Sequence, residues 1–396
     1  MFEKGDQNDD TRPIEERREC RGTHPGHKKP PVRSKQAKEA SVGGHDSKVD
    51  SYIVTVPSPT TDSPRILAVR FGALGDLVLT TPLFRAIRVR HPKAHLALVT
   101  KTEYLPLFRH NPRLTEVIPY DTEQPLAPLA RRLKEGDWTH RLDLHQSLRS
   151  RTLRVLAGGR WTGYPKHRLQ RSVLVRTKKN IYRDTRPVVE RYFDAARGLD
   201  VKPDGGPPEI FIHTEATQAA DRFLKESALA RDRSLVAVAP GAGHATKRWP
   251  ERHWHELVRL LINAKRDVVI LGGSDEQAVA SRLAEAGGDR AASAAGLFDI
   301  QGSAALLRRA RTAVAGDTGL MHLATAVGTP IVVLLGPTVG PFGFLPYGAR
   351  STVLEKELDC RPCSTHGSVV CPLGHHHCLE LIHPHEVAEA LRKLPQ

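Results

Sequence analysis

Short apolar runs alternate along this chain with stretches of helical periodicity. Residues 65–71, Arg-Ile-Leu-Ala-Val-Arg-Phe, read as a buried strand that Gly72-Ala-Leu-Gly75-Asp76 brings to an end. Helical spacing follows, with Thr81 able to cap, Pro82 suited to the first helical position, and Leu83, Phe84 and Ile87 on one side. The pattern predicts further strands at 95–100, 116–119 and 140–144, and helices at 126–134 and 147–156. A proline- and glycine-rich stretch at 201–208 reads as a linker, after which the alternation restarts. Strands are expected at 235–239, 267–271, 312–315 and 330–335, with helices at 251–264, 275–286 and 320–327. Short apolar strands alternating with helices specify a parallel sheet covered on both faces, an α/β fold. Two doubly wound halves, 63–205 and 206–396, then leave a cleft between their C-terminal strand ends.

The first 62 residues fit neither half. They are rich in Lys, Glu, Asp, Ser, Pro and Gly, and a stretch without apolar periodicity buries too little surface to offset its ordering entropy. A disordered tail is the expectation. The tail lacks the apolar core of a signal peptide, and no later run reaches membrane-spanning length, so a soluble, cytoplasmic chain is expected.

Charge changes the picture more than composition does. The formal net charge is +15, yet residues 1–62 hold 11 Lys/Arg against 11 Asp/Glu and residues 206–396 hold 20 against 20. Residues 63–205 hold 28 against 13, so the whole excess lies on the first folded half, which points it toward an anionic partner. Nucleic acid, an acidic membrane surface and a phosphorylated substrate all carry suitable charge. No nucleic-acid module or interleaved aromatic pattern accompanies the basic residues, so nucleic acid is not expected.

Three glycine-marked strand ends carry the candidate chemistry. Gly72-x-x-Gly75-Asp76 reads either as a tight strand–helix turn capped by Asp76 or as a close approach of backbone to ligand. It does not spell a dinucleotide fingerprint, and no acid but Glu103 stands near the second strand end at Lys101, which argues against an oxidoreductase. Residues 240–250, Pro-Gly-Ala-Gly-His-Ala-Thr-Lys-Arg-Trp-Pro, offer glycines, a hydroxyl and two cations, as a diphosphate requires. In Gly316-Asp317-Thr318-Gly319 a buried strand ends and a helix starts at once. Free amides there would face a phosphate, with His322 one turn in beside Thr318. The plainer reading makes Asp317 an N-cap and His322 an ordinary helix residue.

Taken in order, residues 70–82, Lys247-Arg-Trp-Pro250 and Gly316-Asp-Thr-Gly-Leu-Met-His322 resemble the ADP-heptose:lipopolysaccharide heptosyltransferases, glycosyltransferase family 9, and Cys-Pro-Leu-Gly-His-His-His-Cys at 371–378 resembles a segment of the second heptosyltransferase type, which the chain is most like. The resemblance runs from about Arg65 to the C-terminus. It implies a GT-B fold of two Rossmann-like domains, acceptor-binding first and nucleotide-sugar-binding second, and an inverting single displacement without catalytic metal. The absence of Asp-x-Asp from both folded halves agrees with that last point. By motif position Asp76 would be the general base, while Thr246, Lys247 and the start of the helix at Asp317, Thr318 and Gly319 would hold the departing diphosphate. His322 matches a phosphate contact, and Ser274 lies where the family holds the adenosine ribose.

The implied acceptor, an inner-core sugar on lipid A, is anionic and lies on an acidic leaflet. Arg149, Arg151 and Arg154, continued by Arg168, Arg171, Lys178 and Lys179, form the expected docking surface, with peripheral association to the inner membrane. The same fold with another nucleotide sugar or acceptor is the alternative, and a nonenzymatic nucleotide-sugar- or nucleic-acid-binding protein is the alternative of another class. Near the end, Cys360, Cys363, Cys371 and Cys378 with three adjacent histidines read either as a structural zinc site or as reduced thiols in a loop packed near the cleft. Cys20 stands apart in the tail.

Overall fold

The computed structural model describes residues 52–53, 63–229 and 234–394. The expected disordered tail, Cys20 included, falls outside the described residues except for Tyr52–Ile53.

In the first half, strands β1 (Tyr52–Ile53), β2 (Arg65–Val69), β3 (His95–Lys101), β4 (Glu116–Tyr120), β5 (His140–Asp143) and β6 (Trp161–Gly163) lie in the order β1-β4-β3-β2-β5-β6. All neighbours are parallel except β1, which pairs antiparallel at the β4 edge. Between and after them run helices α1 (Leu74–Val78), α2 (Thr81–Arg90), α3 (Leu105–Phe108), α4 (Leu126–Glu135), α5 (Leu148–Ala157), α6 (Arg168–Thr177) and α7 (Val188–Tyr192). Helix α8 (Thr214–Glu226) leads into the second half.

There, β7 (Leu235–Ala239), β8 (Asp267–Ile270), β9 (Ala291–Ser293), β10 (Thr312–Gly316), β11 (Ile331–Leu335) and β12 (Ser351–Glu355) form a parallel sheet ordered β12-β11-β10-β7-β8-β9. Helices α9 (Glu251–Asn263), α10 (Gln277–Gly287), α11 (Ile300–Arg309), α12 (Gly319–Ala326), α13 (His377–Glu380) and α14 (Pro384–Lys393) complete it. No helix among the described residues is long and apolar enough to cross a membrane.

The alternation expected from sequence is therefore present, because strands buried on both faces must be apolar throughout: β7, β10 and β11 have no exposed position. The short β6 and β9, half-exposed at the sheet edges, carry no such signal. Helix starts differ in detail. Thr80, not Thr81, precedes α2, and neither hydroxyl caps it; Thr80 Oγ1 and Thr81 Oγ1 donate instead to the carbonyls of Leu77 and Val78, which end α1. Ser147 and Ser150 make a reciprocal capping box at α5.

The linker stretch is anchored to the first half. Arg85 pairs with Asp204 at 2.7 Å and Glu209 at 3.1 Å and donates to the Pro207 carbonyl. One continuous buried cluster runs through both halves, from Leu83 and Phe84 to Leu306 and Ala324.

Candidate active site

A cavity of about 860 Å³ opens where the C-terminal strand ends of the two sheets face one another. From the first half, β2 leads to Arg70 and, through α1, to Asp76; β5 leads to His145 and β6 to Tyr164 and Lys166. From the second half, a short turn after β7 supplies Lys247, and β10 leads to Asp317, Thr318 and the start of α12.

Asp76 is held from two sides. Arg70 Nη2 approaches its Oδ2 to 2.5 Å, and the Tyr192 hydroxyl donates to Oδ1 at 3.3 Å. Arg70 is itself buried, 4% exposed, and its Nη1 donates to the Leu144 carbonyl. Burial pushes the Asp76 carboxyl upward, but the positive charges of Arg70 and Lys166 lead the opposing effects, and the group is held below the ordinary carboxylate value. Burial lowers Lys166 to about 8, with Arg70 adding repulsion, and its ammonium donates to the His145 carbonyl. His145 falls to about 3 for the same two reasons.

Opposite, Lys247 Nζ lies 2.7 Å from Asp317 Oδ2 and donates to the Asp317 carbonyl, while Thr338 Oγ1 donates to the same carboxylate at 2.8 Å. Asp317 thus caps nothing. Thr318 is the residue preceding α12, makes no side-chain cap bond, and leaves a buried hydroxyl without a partner. His322 is buried to 4% exposure, its Nδ1 has no partner, and burial lowers it to about 4, so the ring is neutral at neutral pH.

The glycines at this junction serve packing. A Cβ on Gly75 would lie 2.5 Å from His322 Cδ2, and one on Gly319 would lie 2.9 Å from Leu74. Each glycine of one half receives a side chain of the other, so the starts of α1 and α12 can meet across the cleft.

The sequence profile of glycosyltransferase family 9 (heptosyltransferase) matches residues 126–373. The chain belongs to that family. The lipooligosaccharide heptosyltransferase 2 of Haemophilus influenzae is 24% identical over 310 residues, covering 73% of this chain and 88% of that protein. The lipopolysaccharide heptosyltransferase 1 of Pseudomonas aeruginosa is 29% identical, covering 76% and 86%. Among solved structures, a family 9 glycosyltransferase from Veillonella parvula superposes with a TM-score of 0.70 at 23% identity over 85% of this chain and 98% of that one. The ADP-heptose heptosyltransferase II of Escherichia coli gives 0.64 at 23% over 83% and 97%. These likenesses fix the fold as GT-B.

Within this glycosyltransferase the cleft brings together Asp76, Lys247, Asp317, Thr318, Gly319, His322 and Arg149. Thr246, expected on the diphosphate, does not line it: its hydroxyl donates to the Ser368 carbonyl and accepts from the Ser368 amide, tying the turn to the cysteine-containing C-terminal segment. Ser274 is exposed in a short turn outside the cavity lining. Arg151 is exposed on α5 outside the lining, and Arg154 reaches back to the buried Asp143 at 3.5 Å. Cys360, Cys363, Cys371 and Cys378 are all free thiols. Among the described residues no three His, Cys, Asp or Glu side chains gather as a metal-holding group. From the same segment, Thr365 and His366 reach the cleft.

Sequence reasoning did not assign Arg70, His145, Tyr164, Lys166 or Arg191 to the site. Tyr164 and Lys166 follow β6, whose three residues include none that is buried and give no strand pattern, so nothing marked them as strand-end residues.

Proposed function

We propose that this glycosyltransferase moves a heptose from ADP-heptose to an inner-core sugar of lipopolysaccharide, with inversion at the anomeric carbon. The observation that carries the reading is the opposition, across one cavity, of a carboxylate on the acceptor half and a cation beside a helix start on the nucleotide half. The names of the relatives supply the substrate class.

In this reading the acceptor hydroxyl oxygen attacks the anomeric carbon from the face opposite the diphosphate. Its proton passes to an Asp76 oxygen as the new C–O bond forms, and the bond from the anomeric carbon to the diphosphate breaks. Negative charge gathers on the departing ADP. Lys247, the unpartnered Thr318 hydroxyl and the first amides of α12 supply the compensating field without a metal ion. Lys247 is preoriented by Asp317, and the incoming diphosphate competes with that carboxylate for the ammonium.

Arg70 has a double effect. By lowering Asp76 it keeps the base ionised across the working pH range, and it makes that base weaker, so proton transfer falls late, when the attacking oxygen has become acidic.

Incubating the protein with ADP-heptose and truncated core acceptors, and following ADP release, tests the reading. Release that requires both substrates supports it, and release without acceptor, or none with any core acceptor, refutes it. The acceptor is lipid-anchored in this reading, which places the enzyme peripherally on the cytoplasmic face of the inner membrane.

A further inference from the structure

Two helices at the cleft mouth expose large apolar side chains among cations. On α5 the inward positions Ser150, Leu153 and Ala157 are buried, while Leu148 is 82% and Val155 81% exposed, two turns apart on the outward stripe. On α6, Leu169 is 70% exposed. The starts of these helices are tied together: the Arg168 guanidinium donates to the Gln146 carbonyl, Gln146 Nε2 to the Tyr164 carbonyl at 2.6 Å, and Lys166 to the His145 carbonyl. Leu148 and Leu169 therefore flank one junction. Arg149 and Arg168, their chain neighbours, line the cavity, so the junction lies at its mouth.

Residues 144–183 contain 11 Lys/Arg and no Asp or Glu. Of the flanking acids, Asp143 pairs with Arg154 of this stretch and Asp184 with Arg186 beyond it. Among the described residues no carboxylate pairs with Arg149, Arg151, Arg168 or Arg176. Single exposed apolar side chains are ordinary, but three gathered among arginines beside one cavity mouth mark an interaction face. A nucleic-acid face would offer rings to stack, where these positions carry branched aliphatics.

We propose that the α5–α6 face docks on an anionic lipid bilayer, with Leu148, Val155 and Leu169 entering the acyl boundary and the surrounding arginines meeting lipid phosphates. Cationic residues attract the protein to an acidic leaflet and apolar side chains hold it there; each signal alone gives marginal binding. The orientation that results turns the cleft mouth to the membrane, where a lipid-anchored acceptor presents its sugar; this purpose, though not the binding, rests on the function proposed above.

The test uses the full chain and the variant Leu148→Gln, Val155→Gln, Leu169→Gln in flotation with phosphatidylglycerol–phosphatidylethanolamine vesicles and with phosphatidylcholine vesicles. The wild type should float with the anionic vesicles and not with the neutral ones, and the variant should partition about tenfold less or worse at physiological salt. Its melting temperature and its transfer to a lipid-free core oligosaccharide should match the wild type. A wild type that stays in solution overturns the proposal, as does a variant that floats equally well, or equal binding to neutral vesicles. Wild-type self-association in place of flotation would also overturn it and assign the face to protein contact. Should neither protein transfer to the soluble acceptor, the proposed reaction fails while the flotation result still decides the docking.

Discussion

Replacing Asp76 with Asn separates two roles that the structure gives this carboxylate. One is the proposed base, whose loss should lower turnover by about two to four decades, or about 3–5 kcal/mol of barrier. The other is counterion to Arg70, which is buried and is left with the Leu144 carbonyl and the Tyr164 and Tyr192 side chains when the charge goes. Stripping one partner from a buried pair costs about 3–5 kcal/mol of stability, and the 24% exposure of the Asp76 side chain places this case near the lower end. The single variant should therefore be both slow and less stable. The double variant Arg70→Met, Asp76→Asn removes both charges and should regain most of the stability in urea denaturation. Turnover, followed as ADP release, should stay low. Arg70→Met alone keeps the base but removes the main charge that lowers it, leaving burial to raise its pKa. That variant should gain an acid limb in its pH–rate profile that the wild type lacks. If the double variant recovers both stability and near-normal turnover, Asp76 serves Arg70 and not the proton, and the mechanism fails.

The remaining predictions concern the rest of the cleft. Lys247→Ala should cost about two to three decades in turnover, whereas EDTA should leave the wild type unchanged; inactivation by EDTA with rescue by Mg²⁺ or Mn²⁺ would remove Lys247 from its proposed role. The pH–rate profile should show no limb near 6.5, because burial holds His322 at about 4 and His145 at about 3, both neutral through the physiological range. Lys166 carries its charge below about 8 and loses it as pH rises through that value, so the Michaelis constant for an anionic acceptor should rise above pH 8 with the donor constant steady. Arg149→Gln should raise the acceptor constant and Arg154→Gln should not; the latter leaves buried Asp143 without its cation and should appear as lost stability instead.

Much of this protein can be read from its residues alone. Strands such as Leu235–Ala239 and Ile331–Leu335 are apolar at every position because both faces are covered, and that burial is written into the chain. The linker at 201–208, the basic first half and the two motifs around Asp76 and Asp317 are legible for similarly local reasons: backbone freedom, charge count and the chemistry of a strand end. What each motif residue touches is another matter. Thr246 and Lys247 are neighbours, yet one hydroxyl turns to Ser368 and the other side chain to Asp317 in the cleft. Arg154 was legible as a surface cation, and only the fold showed the buried Asp143 beneath it. The pairing of Arg70 with Asp76, the neutral His322 and the glycines that admit Leu74 and His322 across the cleft belong to the tertiary structure. Patterning along a chain reports which face of an element is buried. Side-chain partners and the fields that set a pKa depend on distances between elements remote in sequence, and those exist only once the two halves have packed.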